Sequence, residues 1–132
     1  MILFESHLIR LDYAPATDIL TADLSSVYEF NLSDQREALR TLVTNVRHYD
    51  VKRLLMDSRK RIIQVDPEKY TALMTDFVLE LGGTRLQKLA RLHTSDTTRE
   101  NIAKQMQEQI ATTFIIKTFP AVGPAHEWLK AV

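Results

Sequence analysis

The spacing of apolar and polar positions divides this chain into alternating strands and helices. Leu3 to Tyr13 alternates, with Leu3, Glu5, His7, Ile9 and Leu11 on one side and Phe4, Ser6, Leu8 and Arg10 on the other, which predicts one strand. Ala14-Pro15-Ala16-Thr17-Asp18 interrupts it, because proline restricts its own backbone and that of its predecessor. Ile19 to Leu24 reads as a second strand, close enough to the first for an antiparallel hairpin, and Val27 to Phe30 extends it or forms a further short strand. Ser33 and Asp34 are the N-cap candidates of a first helix that carries Ala38, Leu39, Leu42, Val43 and Val46 at helical spacing to about Tyr49. Its polar face holds Arg36, Glu37, Arg40 and Arg47.

The stretch from Val51 to Gly83 is the clearest in the chain. Leu54-Leu55-Met56 runs without a polar break inside a strand from Lys52 to Asp57, the pattern of a parallel strand buried on both faces. Asp57-Ser58-Arg59-Lys60-Arg61 then turns polar. Asp66 is placed to cap a helix with Pro67 at its first position, and Tyr70, Leu73, Met74, Phe77, Val78 and Leu81 form its apolar stripe. Gly82 or Gly83 is expected to end it in the left-handed conformation. Leu86 to Leu92 is the fourth strand, weakened by Lys88 and Arg91. Thr94-Ser95-Asp96 caps a third helix with Ile102, Met106 and Ile110 on one stripe. Thr113 to Phe119 is the fifth strand, Pro120 ends it, and Gly123-Pro124 opens a last helix with Trp128, Leu129 and Val132 inward. Strands separated by helices pair in parallel through right-handed crossovers. The fold class is therefore α/β: a mixed five- or six-stranded sheet with a parallel core and four helices.

Composition narrows the function classes. A chain of 132 residues suits one domain, and its 45% apolar and 26% charged residues are ordinary for a soluble protein. Seventeen basic residues balance seventeen acidic ones, so no global field draws the chain to nucleic acid or to an anionic membrane. The absence of cysteine excludes disulfides, thiolate metal sites and thiol catalysis, and fits a reducing cytoplasm. Met1-Ile2-Leu3-Phe4-Glu5 lacks the features of a signal peptide, and no apolar run approaches the ~20 residues of a membrane span. The expectation is a soluble cytoplasmic protein of bacterial style with no stable membrane insertion.

This element order resembles the STAS-like family, which includes the anti-sigma factor antagonists and is related in fold to CRAL-TRIO lipid-binding domains. The local match is Val51-Lys52-Arg53-Leu54-Leu55-Met56-Asp57-Ser58-Arg59, similar to the apolar strand, Asp, Ser or Thr, Arg segment of small members. Ala125-His126-Glu127-Trp128-Leu129 is similar to the family's closing helix. The resemblance spans nearly the whole chain and implies a single STAS-like domain over residues 1–132. Antagonists of the phospho-switch type carry a phosphorylatable Ser at the start of the helix after the third or fourth strand. Here that helix opens Val65-Asp66-Pro67-Glu68, without a hydroxyl, and Ser58 lies earlier, beside the strand end. Asp66 already supplies negative charge where a phosphate would be favoured.

The loop from Asp57 to Val65 is the candidate site, because ligands of open α/β sheets bind outside the carboxyl ends of parallel strands near a switch point. Ser58, Arg59, Lys60 and Arg61 suit a phosphate or carboxylate, whereas the plain reading has Asp57 and Arg59 bracing the loop backbone. Ile62, Ile63 and Val65 are either core anchors or an exposed patch that favours a partner. His93-Thr94-Ser95-Asp96 invites a hydrolase reading, but no Gly-x-Ser-x-Gly elbow exists and its polar residues suit helix caps. His7, His48, His93 and His126 lack metal-ligand spacing.

No catalytic, metal or cofactor site is expected. The leading expectation is a non-enzymatic binding or regulatory module acting through protein contacts, homodimer formation among them, at Asp57, Ser58, Arg59, Lys60 and Arg61 and the facing Tyr70 helix. The alternative is a small carrier of a lipid or anionic amphipathic ligand between the second and third helices. That carrier would need an apolar cavity of at least ~300 Å3 opening near Arg59. A phospho-regulated switch at Ser58 or Ser95 is a further alternative.

Overall fold

The computed structural model describes residues 1–24, 29–59, 62–63 and 66–131, with the backbone alone at 29, 30, 62 and 63. Its strands are β1 (Ile2–Glu5), β2 (Arg10–Ala14), β3 (Ile19–Asp23), β4 (Glu29–Phe30), β5 (Arg53–Asp57), β6 (Ile62–Ile63), β7 (Lys88–Leu92) and β8 (Ile115–Phe119). Its helices are α1 (Leu32–His48), α2 (Pro67–Gly82), α3 (Thr97–Gln109) and α4 (Val122–Lys130). Six strands form one sheet in the order β1-β2-β3-β5-β7-β8. The β1, β2 and β3 strands are antiparallel neighbours, and from β3 to β8 all pairing is parallel. Strands β4 and β6 make a separate two-residue parallel ladder. The protein is thus α/β, with a six-stranded mixed sheet and four helices.

The parallel strands advance across the sheet in one direction. Right-handed crossovers that all step the same way place their helices on the same face. Helices α1, α2 and α3 accordingly cover one face, α1 packing on α2 and α2 on α3, while α4 packs on β5, β7 and β8 from the other. The strand pleat divides the apolar run of β5 between the two layers. Leu54 joins Leu20, Leu42, Phe77, Leu81 and Leu89 beneath the three helices. Leu55 joins Ile19, Ala90, Leu92, Phe119 and Leu129 beneath α4. No strand order reverses within the parallel section, so the expected switch-point crevice does not form.

Local chemistry corrects several expectations. The alternating run from Leu3 to Tyr13 is two strands, because Ser6 closes a turn: its Oγ accepts from Leu8 N at 3.1 Å and its own N donates to Ile9 O at 2.9 Å. A serine that bonds backbone two residues ahead offers the chain an alternative to the ladder. The N-cap of α1 is Asn31, not Ser33 or Asp34; its side chain accepts from Asp34 N at 2.8 Å. Asp66 precedes Pro67 as expected but makes no side-chain cap bond. Gly83 ends α2 at φ −84°, so the stop is not left-handed; Gly83 N donates to Glu80 O and Thr84 N to Leu81 O instead. Only Asp18 and Asp50 among the described non-glycine residues have positive φ, 54° and 51°.

Asp96 caps α3 as its position suggested, accepting from Arg99 N at 3.1 Å. Lys88, which weakened the strand pattern of β7, donates to Trp128 O at 2.8 Å and Ala131 O at 2.6 Å and so closes the carboxyl end of α4. Leu129 is fully buried and Trp128 half-buried, while Val132 lies outside the described residues, as do Val27 and Tyr28. Replacing the two N-caps separates real from nominal caps. Asn31→Ala is expected to lower stability by about 1 kcal/mol in urea denaturation, and Asp66→Ala by clearly less. Equal losses would contradict the assignment of Asn31 as the working cap.

Candidate functional site

The carboxyl end of β5 runs directly into the loop singled out from sequence, and the pleat separates its residues. Asp57 and Arg59 face one way and Ser58 the other. The Asp57 carboxylate accepts from Arg59 N at 3.2 Å, Nε at 3.0 Å and Nη2 at 2.9 Å. Those Asp57 hydrogen bonds hold the Arg59 guanidinium above its ordinary pKa; slight burial works against this, and the charges of Asp57 and Asp23 add to it. The described part of the loop is therefore folded onto itself, which is the bracing arrangement. Lys60, Arg61 and Val65 lie outside the described residues, as do the side chains of Ile62 and Ile63.

Ser58 points beneath the three helices. Its Oγ accepts from Arg99 Nη2 at 2.8 Å, tying the end of β5 to the first turn of α3. Arg99 is 7% exposed and Gln35, from the first turn of α1, is 3% exposed. Both line a cavity of about 80 Å3 between the sheet, α2 and α3. Its walls are mainly apolar, with Met56 and Ile116 from the sheet, Met74 and Phe77 from α2, and Ile102 and Met106 from α3. Among the described lining residues there is neither a histidine nor a carboxylate.

Arg91, which also lines the cavity, is held in a saturated ion pair. Arg91 Nη1 and Nη2 donate to Glu100 Oε1 at 2.8 Å and Oε2 at 2.7 Å, a fork-to-carboxylate geometry. Thr94 Oγ1 also donates to Oε2 at 2.7 Å, and Arg91 Nη1 reaches Thr118 Oγ1 at 3.1 Å. Burial by itself raises the Glu100 pKa, but the hydrogen bonds from Arg91 and Thr94 and the Arg91 charge outweigh it and hold the carboxyl at about 2. His93 Nε2 lies 3.7 Å from Glu100 Oε1, with the His93 side chain 61% exposed. In the segment that suggested a hydrolase, Thr94 serves Glu100 and Asp96 caps a helix.

Sequence reasoning missed Gln35, Arg91, Arg99 and Glu100. Two signals were present. Arg99 heads the same helical stripe as Ile102 and Met106, and Gln35 precedes Ala38 and Leu39 by one turn, so each is a polar residue at an inward position. Arg91 is likewise a charge inside a strand buried on both sides, which demands a partner. No signal in the chain pairs Arg91 with Glu100, since their meeting depends on how α3 returns over β7.

No family model matches this chain, and no curated protein or solved structure matches it significantly.

Proposed function

We propose that this protein is a non-enzymatic binding module of STAS-like type that acts through protein contacts. The observation that carries the reading is the outer edge of the sheet. Strand β1 is an edge strand, and Met1, Ile2 and Phe4 are 63%, 44% and 39% exposed along it. An unpaired strand edge with apolar side chains is a template for another chain, by strand addition or by packing on its side chains. Phe4 also forms one wall of an open groove of about 520 Å3 against the outer face of α1, where Arg36, Arg40 and Thr44 stand. The register shift between Ile2 and Phe4 and the Arg10–Glu5 ion pair at 3.3 Å disfavour indefinite edge-to-edge stacking, which favours a specific partner.

The size of the interior supports this reading over a lipid carrier. The cavity of about 80 Å3 is well below the ~300 Å3 of ordinary small-molecule sites, and Ser58 and Arg99 line it whereas Arg59 does not. A phospho-switch at Ser58 draws no support from its surroundings, because its hydroxyl already accepts a hydrogen bond from a buried arginine.

The test pairs Ile2→Lys with Phe4→Glu. Both sites are exposed, so the double variant should stay within about 1 kcal/mol of the parent in stability. Sedimentation equilibrium reads self-association, and cross-linking in extract of the native host reads other partners. The variant is expected to lose the dimer or the cross-linked species. A parent protein that is monomeric and cross-links to nothing the variant does not also capture would end the proposal.

A further inference from the structure

We propose that the groove between β1 and α1 takes an extended segment of another protein, one that carries a single acidic side chain and, two residues away, an apolar one. This rests on the reading of β1 as a partner edge and names the chemistry of that partner. The groove holds about 520 Å3, within the ~300 to 1,000 Å3 of clefts that seat a ligand. Phe4 is its apolar wall, and Arg36 and Arg40, one turn apart on α1, are its cations. Both arginines are exposed, and among the described residues neither side chain is in a hydrogen bond or an ion pair. Arg59 and Arg91, by contrast, are each committed to a carboxylate. A guanidinium presents a planar fork of donors suited to such a group.

Strand β1 supplies the other half of the site. It is the outermost strand, so its outward backbone groups have no ladder partner and can bond an added strand. Side chains two residues apart on that added strand project to the same side, about 7 Å from each other. One then lies over Phe4 and the other over the arginines.

Charge limits the number of acids. Glu37 also lines the groove, so two arginines face one carboxylate there, and the remaining lining residues, Ser33, Thr41, Thr44 and Asn45, are uncharged. Asp76 and Glu80 of α2 line a smaller cleft together with the same arginines. A run of acids would be repelled by these three carboxylates, whereas a single one finds a net positive groove. A second copy of this chain does not supply that acid. Its β1 would present Phe4 on the α1 side, while Glu5 lies on the opposite face with Arg10. Two-fold pairing of the edges would also bring a second Arg36 and Arg40 to the same side of the sheet.

The experiment selects displayed random peptides of about seven residues, the length of an ordinary strand, against the full chain. Enriched peptides are expected to share one Asp or Glu with an apolar residue two positions away. A fluorescein-labelled enriched peptide, titrated by anisotropy, should bind with a Kd of about 100 μM or tighter. Arg36→Glu with Arg40→Glu should weaken it at least about tenfold, and so should Ile2→Lys with Phe4→Glu. Arg36→Gln with Arg40→Gln should act in the same direction, should charge reversal disturb folding. Peptides that enrich without an acid, and bind the arginine variants as well as the parent, would overturn this inference and leave the reading of the β1 edge in place. Displacement by an equal charge of oligothymidylate would assign the groove to nucleic acid and overturn it. The absence of any enriched peptide would overturn it as well, and the reading of β1 would then be decided by the cross-linking comparison alone.

Discussion

Leu54→Ala is expected to destabilise the protein by about 3 to 4 kcal/mol, seen as a lower urea midpoint with little change in slope. Leu54 is fully buried in β5, with Leu20 of β3 and Leu89 of β7 as its register partners. Strands on both sides hold its backbone, so neighbours cannot close over a missing isobutyl group. The loss is therefore the transfer term of the side chain plus the term for the residual cavity. Leu79→Ala provides the comparison: Leu79 is 59% exposed on α2, and its replacement should change stability by no more than about 0.5 kcal/mol. A loss below about 1.5 kcal/mol at Leu54 would mean that this layer can collapse, contrary to the packing described.

The second large effect concerns Glu100. Its folded-state pKa, about 2, lies below the ordinary 4.5, so the ionised carboxylate favours the folded state. That contribution is fully present above the unfolded value and is lost as pH falls from about 4.5 toward about 2. A displacement of that size corresponds to about 3 kcal/mol. Glu100→Gln should remove this part of the acid dependence and cost about 2 to 3 kcal/mol at neutral pH, because Arg91 remains 18% exposed without its carboxylate. Urea midpoints of parent and variant should draw together as pH falls from about 4.5 toward about 2. Parallel curves would show that other carboxylates govern the acid response. By contrast, the Asp57–Arg59 pair has an arginine side chain that is 42% exposed, and Arg59→Ala is expected to cost under about 1 kcal/mol.

The periodic segments were legible because burial imposes their period. The stripe from Tyr70 to Leu81 is the inner face of α2, with Met74 at its partly covered edge. The uninterrupted Leu54-Leu55-Met56 is a strand covered on both sides, and the strand–helix alternation is a parallel section with one antiparallel flank. Errors fell where local hydrogen bonds compete with periodicity. Ser6 broke an alternating run into a hairpin, and Asn31 took the cap that Ser33 and Asp34 also suited. Of the loop from Asp57 to Arg61, neighbouring letters suggested one cluster, but a pleated backbone sends Ser58 to the cavity and Asp57 with Arg59 to the other face.

The chain by itself determines the class of fold, the number of helices and which residues form the core, since these follow from periodicity, proline and glycine placement and balanced charge. Tertiary structure alone decides which polar residues meet. Arg91 finds Glu100 only because α3 returns over β7, and Ser58 finds Arg99 across a sequence separation of 41 residues. The same crossovers place three helices on one face, and so decide that the cavity lies beside Gln35, Ser58 and Arg99 rather than at a switch point beside Arg59. The reason is physical: periodicity records whether a residue is covered, whereas its partner is set by how distant elements pack.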